Sequence, residues 1–170
     1  LIRPRDTIFR GIVGRSVGEA DLHAFSRLHN LTTTVGTHAD AATVHGDAYR
    51  TIRTPMTTLA ALCETHGITE IDFLKVDVEG AEADVLAGND WTRFRPKVVV
   101  AEAIAPGSNE PAYASWEPIL FDAGYVFRLD DTLNRFYVAQ ECADIFARLP
   151  AERGQWDAVT HMYEIGRAPE

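Results

Sequence analysis

The sequence predicts an α/β fold: a mostly parallel sheet covered by helices on both faces and closed by an antiparallel C-terminal hairpin. Three observations predict it. Between residues 57 and 139, short apolar runs alternate with helix-sized segments, an order that calls for crossovers and hence parallel strands. Tyr125 to Leu129 and Arg135 to Ala139 flank Asp130-Asp131-Thr132-Leu133-Asn134, a hairpin signature. The chain has 170 residues, 46% of them hydrophobic, which fits one domain with its own core.

Taken in order, Asp6 to Gly14 is short, apolar and β-branched and reads as a strand, ending in a turn over Gly14 to Gly18. Ala20 to Phe25 reads as a second strand. Residues 30–50 carry Thr, Ala, Gly, His and Asp with little periodicity and read as a long loop or insertion. Thr57 or Thr58 can cap a helix with Leu59, Leu62 and Cys63 on its inner face, which Gly67 stops. Ile71 to Val78 is a strand, Ala81 to Ala87 a helix ending at Gly88, and Lys97 to Ala103 a strand after Pro96. Ser115 can cap a helix to Ala123, with Pro118 in the first turn, where its missing N–H does no harm. Trp116, Leu120 and Phe121 form a helical stripe and are assigned to the core. Ala143 to Leu149 is a terminal helix. One domain over residues 1–140 is followed by a helix and tail over 141–170.

Charge excludes several partners. Against 16 Lys+Arg stand 25 Asp+Glu, a net charge of −9, which argues against a nucleic-acid backbone or an anionic membrane as partner. No apolar run reaches the ~18 residues of a membrane span; the longest, Lys97 to Ala105, is broken by Glu102. Cys63 and Cys142 lie far apart and read as reduced thiols of a cytoplasmic protein. Asn30-Leu31-Thr32 matches a glycosylation acceptor by chance, since no secretory leader precedes it.

The segment richest in chemistry is Ile71-Asp72-Phe73-Leu74-Lys75-Val76-Asp77-Val78-Glu79-Gly80-Ala81-Glu82. A buried parallel strand is nearly continuous in apolar residues, yet this one holds Lys75, Asp77 and Glu79. Period-2 geometry puts these with Phe73 on one side and Leu74, Val76 and Val78 on the other. Charges there are costly unless paired or functional, and ligands bind open α/β sheets at the carboxyl ends of their strands. Lys75 can pair with Asp77 or Glu79. Glu102 ends the next strand, so two neighbouring strands present carboxylates at one edge, suited to a cationic ligand or one offering hydroxyls.

These residues, with Val85-Leu86-Ala87-Gly88, resemble the FkbM-type S-adenosylmethionine-dependent methyltransferases. Thr58-Leu59, Arg95-Pro96, Glu102, Trp116-Glu117-Pro118, Ala123-Gly124-Tyr125 and Asn134-Arg135-Phe136-Tyr137-Val138 follow in the family's order. The resemblance covers roughly residues 51–140 and, more weakly, 6–26. It departs at Ala60, where the family often has Asp. It implies a class I methyltransferase (Rossmann-like) fold with strand order 3-2-1-4-5-7-6 and strand 7 antiparallel. Ile71–Val78 would be strand 4, Lys97–Ala103 strand 5, the hairpin strands 6 and 7, and Asp6–Val13 strand 3. It also implies methyl transfer from S-adenosylmethionine to a hydroxyl of a sugar or secondary metabolite, a small-molecule or glycan acceptor.

Asp77, Glu79 and Lys75 are then the candidate catalytic residues, and Glu102 and Asn134 the candidates for substrate binding. A carboxylate at this edge suits a base, a substrate clamp or a metal ligand alike, and no metal is assigned. Gly11, Gly14 and Gly18 do not match a cofactor fingerprint and read as turn residues. The fingerprint strands, 1 and 2, are expected upstream of Leu1, leaving an exposed apolar edge on strand 4 and weak or no cofactor binding by this chain alone. Two readings from other classes stand beside this one. One is a non-catalytic Rossmann-like binding or assembly module. The other is a metal-dependent hydrolase using His38-x-Asp40 and His45-x-Asp47. His23, His29, His66 and His161 are scattered and read as surface or packing residues.

Overall fold

The computed structural model describes residue 4 and residues 6–26, 32–43, 48–106 and 110–152. His29, Asn30, Leu31, His45, Asp47, His161 and the tail beyond residue 152 lie outside the described residues.

Among the described residues, seven strands form two mixed sheets. The first joins β1 (Ile12–Val13), β2 (Gly18–Phe25) and β3 (Tyr49–Thr57) in the order β1-β3-β2. The second joins β4 (Phe73–Val76), β5 (Val98–Glu102), β6 (Tyr125–Asp130) and β7 (Asn134–Ala139) in the order β4-β5-β7-β6. That order, with β7 antiparallel to both neighbours, is the one implied for strands 4, 5, 7 and 6. The sheets are not mostly parallel, however. Only β1–β3 and β4–β5 run parallel, while β2–β3, β5–β7 and β6–β7 are antiparallel. The reason is local: the hairpin returns β7 between β5 and β6, so its reversed direction occupies two of the three pairings of that sheet.

The four-stranded sheet carries the core, and period-2 alternation sorts its side chains. Val99, Ala101, Tyr137 and Ala139 pack on one face against Val85, Leu86, Trp116 and Leu120. These come from helices α3 (Glu82–Ala87) and α4 (Glu117–Asp122) and the N-cap of α4. Val98, Val100 and Val138 point to the other face, where Ile145 and Phe146 of α5 (Ala143–Arg148) cover them. Both faces are therefore covered by helices, as expected. Trp116 and Tyr137 are fully buried and meet edge to face with ring centres 5.7 Å apart. The Tyr125 hydroxyl donates to the Pro96 carbonyl at 2.6 Å, which satisfies it inside the core.

The ends of α2 follow their expected chemistry, whereas two expectations for α4 fail. Thr58 Oγ1 accepts from the Ala61 N–H at 3.0 Å and caps α2 (Leu59–Thr65), and Gly67, at φ +61°, takes the left-handed turn after it. Ser115 does not cap α4: its hydroxyl donates to the Ala112 carbonyl within a 3₁₀ turn over Tyr113–Ser115, and Trp116 holds the N-cap position. Phe121 leaves the expected core stripe and is 47% exposed, because α4 turns it to the rim of Tyr137.

The N-terminal region departs further. Of Asp6 to Gly14, only Ile12 and Val13 find a strand partner, at Met56 and Thr57, and Ile8 and Phe9 are exposed. The expected 30–50 loop holds α1 (Gly36–Ala42) and runs into the start of β3. β3 pairs with β2 along eight residues, from Gly18↔Met56 to Phe25↔Tyr49. Pro55 sits inside it, and a residue without an N–H is tolerated there because β1 reaches only Met56 and Thr57 on the other side. Gly14 and Gly88 join the two sheets. A Cβ on Gly88 would stand 2.1 Å from the Gly14 carbonyl oxygen, so the two backbones meet where no side chain fits.

Candidate active site

The strand that carries charge ends sooner than expected. β4 pairs with β5 from Phe73↔Val98 to Val76↔Ala101, and then the chain turns. Glu79 has φ +53° and Gly80 φ +95°. A non-glycine residue in the left-handed region is strained, and such strain concentrates at functional sites. Three side chains hold the turn. The buried Glu82 carboxylate accepts from the Val78 and Gly80 N–H groups at 3.1 and 3.2 Å. The Thr33 hydroxyl donates to the Glu79 carbonyl at 2.7 Å, and the His38 ring nitrogen Nδ1 lies 3.4 Å from that carbonyl. A Cβ on Gly80 would stand 2.2 Å from the same ring nitrogen.

The turn gathers the five residues singled out in the sequence. Lys75 Nζ donates to Asp77 Oδ2 at 3.0 Å and to Asn134 Oδ1 at 2.7 Å, so the pairing with Asp77 forms. Asn134 begins β7 opposite Glu102, the last residue of β5. Its amide nitrogen lies 3.3–3.4 Å from the Asp131 carboxylate, within donating reach. Asp77, Glu79 and Glu102 each bring a carboxylate oxygen within 4.8 Å of the other two.

Their environments differ. Asp77 is exposed, Glu79 half-buried and Glu102 buried. Burial, then the nearby charges of Asp77, Glu79 and Glu82, push the Glu102 carboxyl up to about 7 against the opposing pull of Lys75. Burial, then Asp77 and Glu82, also raise the Glu79 carboxyl. One edge thus holds an exposed carboxylate tied to an ammonium and a buried one that binds its proton near neutrality. Residues with such contrast can accept or donate a proton at working pH.

A cleft of about 490 Å³ opens at this edge, lined by Ile12, Val13, Thr33, Asp77, Val78 and Glu79. Its size suits a small organic ligand. A hollow of about 520 Å³ beside Cys63, Ile68 and Phe94 is comparable, but its one acid, Glu64, is paired with Arg93.

A profile of the methyltransferase FkbM domain matches residues 4–127. The chain belongs to the FkbM methyltransferase family. The match ends inside β6, short of the hairpin's second strand, and takes in the N-terminal sheet. No curated protein and no solved structure matches the chain. In this FkbM domain the acidic turn lies within the matched span and Asn134 just outside it.

Sequence reasoning missed the residues that build the turn. Glu82 stood in the motif without a role; an acid two residues past a glycine at the start of a helix was the available signal. Thr33 and His38 had no local signal, since they reach Glu79 across 46 and 41 residues. The His38-x-Asp40 pair does not face one site, because His38 turns to Glu79 while Asp40 accepts from the Tyr49 hydroxyl at 2.6 Å. The free thiols divide, Cys63 buried and Cys142 partly exposed. Among the described residues no helix is long and apolar enough to cross a membrane.

Proposed function

We propose that this FkbM domain serves S-adenosylmethionine-dependent O-methylation of a hydroxyl on a sugar or other small metabolite. The observation that carries the reading is the convergence of Lys75, Asp77, Glu79, Glu102 and Asn134 at the carboxyl ends of the parallel β4–β5 pair. A polyol acceptor offers donors to match an edge of acceptors. The cofactor supplies an electrophilic methyl group when bound. Asp77 and Glu79 would orient the attacking hydroxyl, and one of them would take its single proton as the methyl carbon exchanges its bond to sulfur for one to oxygen. Lys75 holds the exposed Asp77 carboxylate in place, and Asn134 positions Lys75. Glu102 forms the floor beneath the acceptor. The free thiols fit a cytoplasmic setting.

The described residues fit the acceptor side of such a reaction better than the cofactor side. Gly11 and Gly14 form no phosphate-type or cofactor cradle. A Cβ on Gly11 would strike the Phe9 ring and the Pro55 carbonyl, and Gly14 packs on Gly88.

The test is methyl transfer by the full-length protein from labelled S-adenosylmethionine to a panel of sugars and polyols, with mass spectrometry and NMR to locate the methyl group. The expected product is a base-stable methyl ether. Asp77→Ala should lower the rate by about 100-fold or more while the circular dichroism stays unchanged. Methyl transfer to nitrogen only, or an undiminished rate in the variant, would overturn the reading.

A further inference from the structure

We infer that Asp77, Glu79 and Glu102 form a binding site for a hard divalent cation of about calcium size. Each residue brings a carboxylate oxygen within 4.8 Å of the other two. For three points so spaced, one position lies within about 2.8 Å of all of them, close to the 2.3–2.6 Å of calcium–oxygen bonds. All three donors are carboxylate oxygens, the ligand type that selects magnesium, calcium or manganese over zinc or copper.

Acidic clusters are common on surfaces, and what sets this one apart is Glu102. Its residue is 8% exposed, and its Oε2 atom is buried with no hydrogen-bond partner. A buried carboxylate oxygen with nothing to accept from is costly, whereas the rest of this structure satisfies its buried acids. Glu82, as deeply buried, accepts two backbone N–H groups. The neighbouring cation does not fill the gap, since Lys75 donates to Asp77 and Asn134. Asp77 keeps a second oxygen for the cluster, and Glu79 is held towards it by the strained turn. A divalent ion would give Glu102 the missing partner and offset three converging negative charges at once. Asp77 and Glu79 also line the cleft, from which vicinal hydroxyls or water could complete the shell.

The experiment titrates the full chain with Mn²⁺, following free Mn²⁺ by electron paramagnetic resonance, with Ca²⁺ and Mg²⁺ as competitors. The expected result is one ion per chain, displaced by Ca²⁺ more readily than by Mg²⁺. Glu102→Gln and Asp77→Asn should each weaken binding by about tenfold or more. Asp84→Asn, at an exposed acid paired with Arg15, should leave it unchanged. If the buried Glu102→Gln variant fails to fold, the exposed Asp77→Asn variant carries the test. No loss of free Mn²⁺ signal up to ~1 mM, the weak end of natural calcium sites, would overturn the proposal. So would equal binding by the wild type and Asp77→Asn. Methyl transfer does not enter the readout, so failure here leaves the methyltransferase reading standing, and the reverse holds too.

Discussion

The two sheets of this molecule are built on different terms. The four-stranded sheet buries its central strand β5 on both faces: every residue of β5 is buried, and two aromatic side chains close the core beside it. The three-stranded sheet buries only Ile12 and Phe25 along its strands. It is held by a long antiparallel ladder and by exposed ion pairs such as Arg53 with Glu19 and Asp21. Yet the site needs both. The C-terminal sheet supplies the carboxylates, and the N-terminal region supplies the Thr33 hydroxyl, the His38 ring and one wall of the cleft. Stability and site assembly are thus divided unequally between them.

The sharpest test of that division lies in the core. Trp116→Ala should cost about 3–5 kcal/mol in denaturant unfolding, the usual range for a fully buried aromatic residue. Phe25→Ala, in the thinner sheet, should cost about half as much. Equal losses would break the comparison. The next test is the joint between the regions. Gly80→Ala would set a Cβ 2.2 Å from His38 Nδ1 at φ +95° and should destabilise by about 1–3 kcal/mol. The double variant with His38→Ala would recover the steric part and keep the backbone strain, which a cycle of melting curves separates.

A smaller effect depends on pH. The Glu102 carboxyl is held at about 7, above its ordinary 4.5. Below pH 4.5 it is neutral in the folded and unfolded chain alike and costs nothing. As the pH rises towards 7 the unfolded chain ionises freely while the folded one resists, so the destabilisation grows and then levels off. Glu102→Gln, measured with a chelator present, should raise stability by about 2 kcal/mol above pH 7 and by almost nothing near pH 4. A pH-independent gain would contradict the assignment. The smallest effect is expected at the surface of the thin sheet: Arg53→Ala should cost no more than about 0.5 kcal/mol, and less in high salt.

How far the sequence could be read follows the same division. The elements from Thr58 to Ala139 were legible because their burial is periodic. Val98-Val99-Val100-Ala101 serves two faces of one sheet, and glycines mark the helix ends. The site was legible because Lys75, Asp77, Glu79 and Glu102 interrupt apolar strands where burial makes charge conspicuous. β3 was not legible, because Arg50, Thr51 and Arg53 face solvent and Pro55 argues against a strand. Its pairing comes from β2 rather than from its own pattern. Ser115 was misread because a hydroxyl before an apolar run signals a cap only if the chain enters the helix directly, and a 3₁₀ turn intervenes. The mostly parallel sheet failed for a related reason: helix–strand alternation reports crossovers but not where a hairpin inserts.

One hydrogen bond has a consequence for the birth of the protein. Lys75 is anchored by Asn134, 59 residues later in the chain, and β7 must slide between β5 and β6 before that anchor exists. During synthesis the acidic turn is therefore made well before the residue that steadies it. A nascent chain that has released β4 and β5 holds its carboxylates on an unfinished sheet. The ammonium beside them is fixed only when the last strand zips into the middle, a long-range step of the kind that slows folding. The assembled cluster then arrives with the closing of the sheet rather than before it, and a chain stalled short of Asn134 has the motif without the anchor of Lys75.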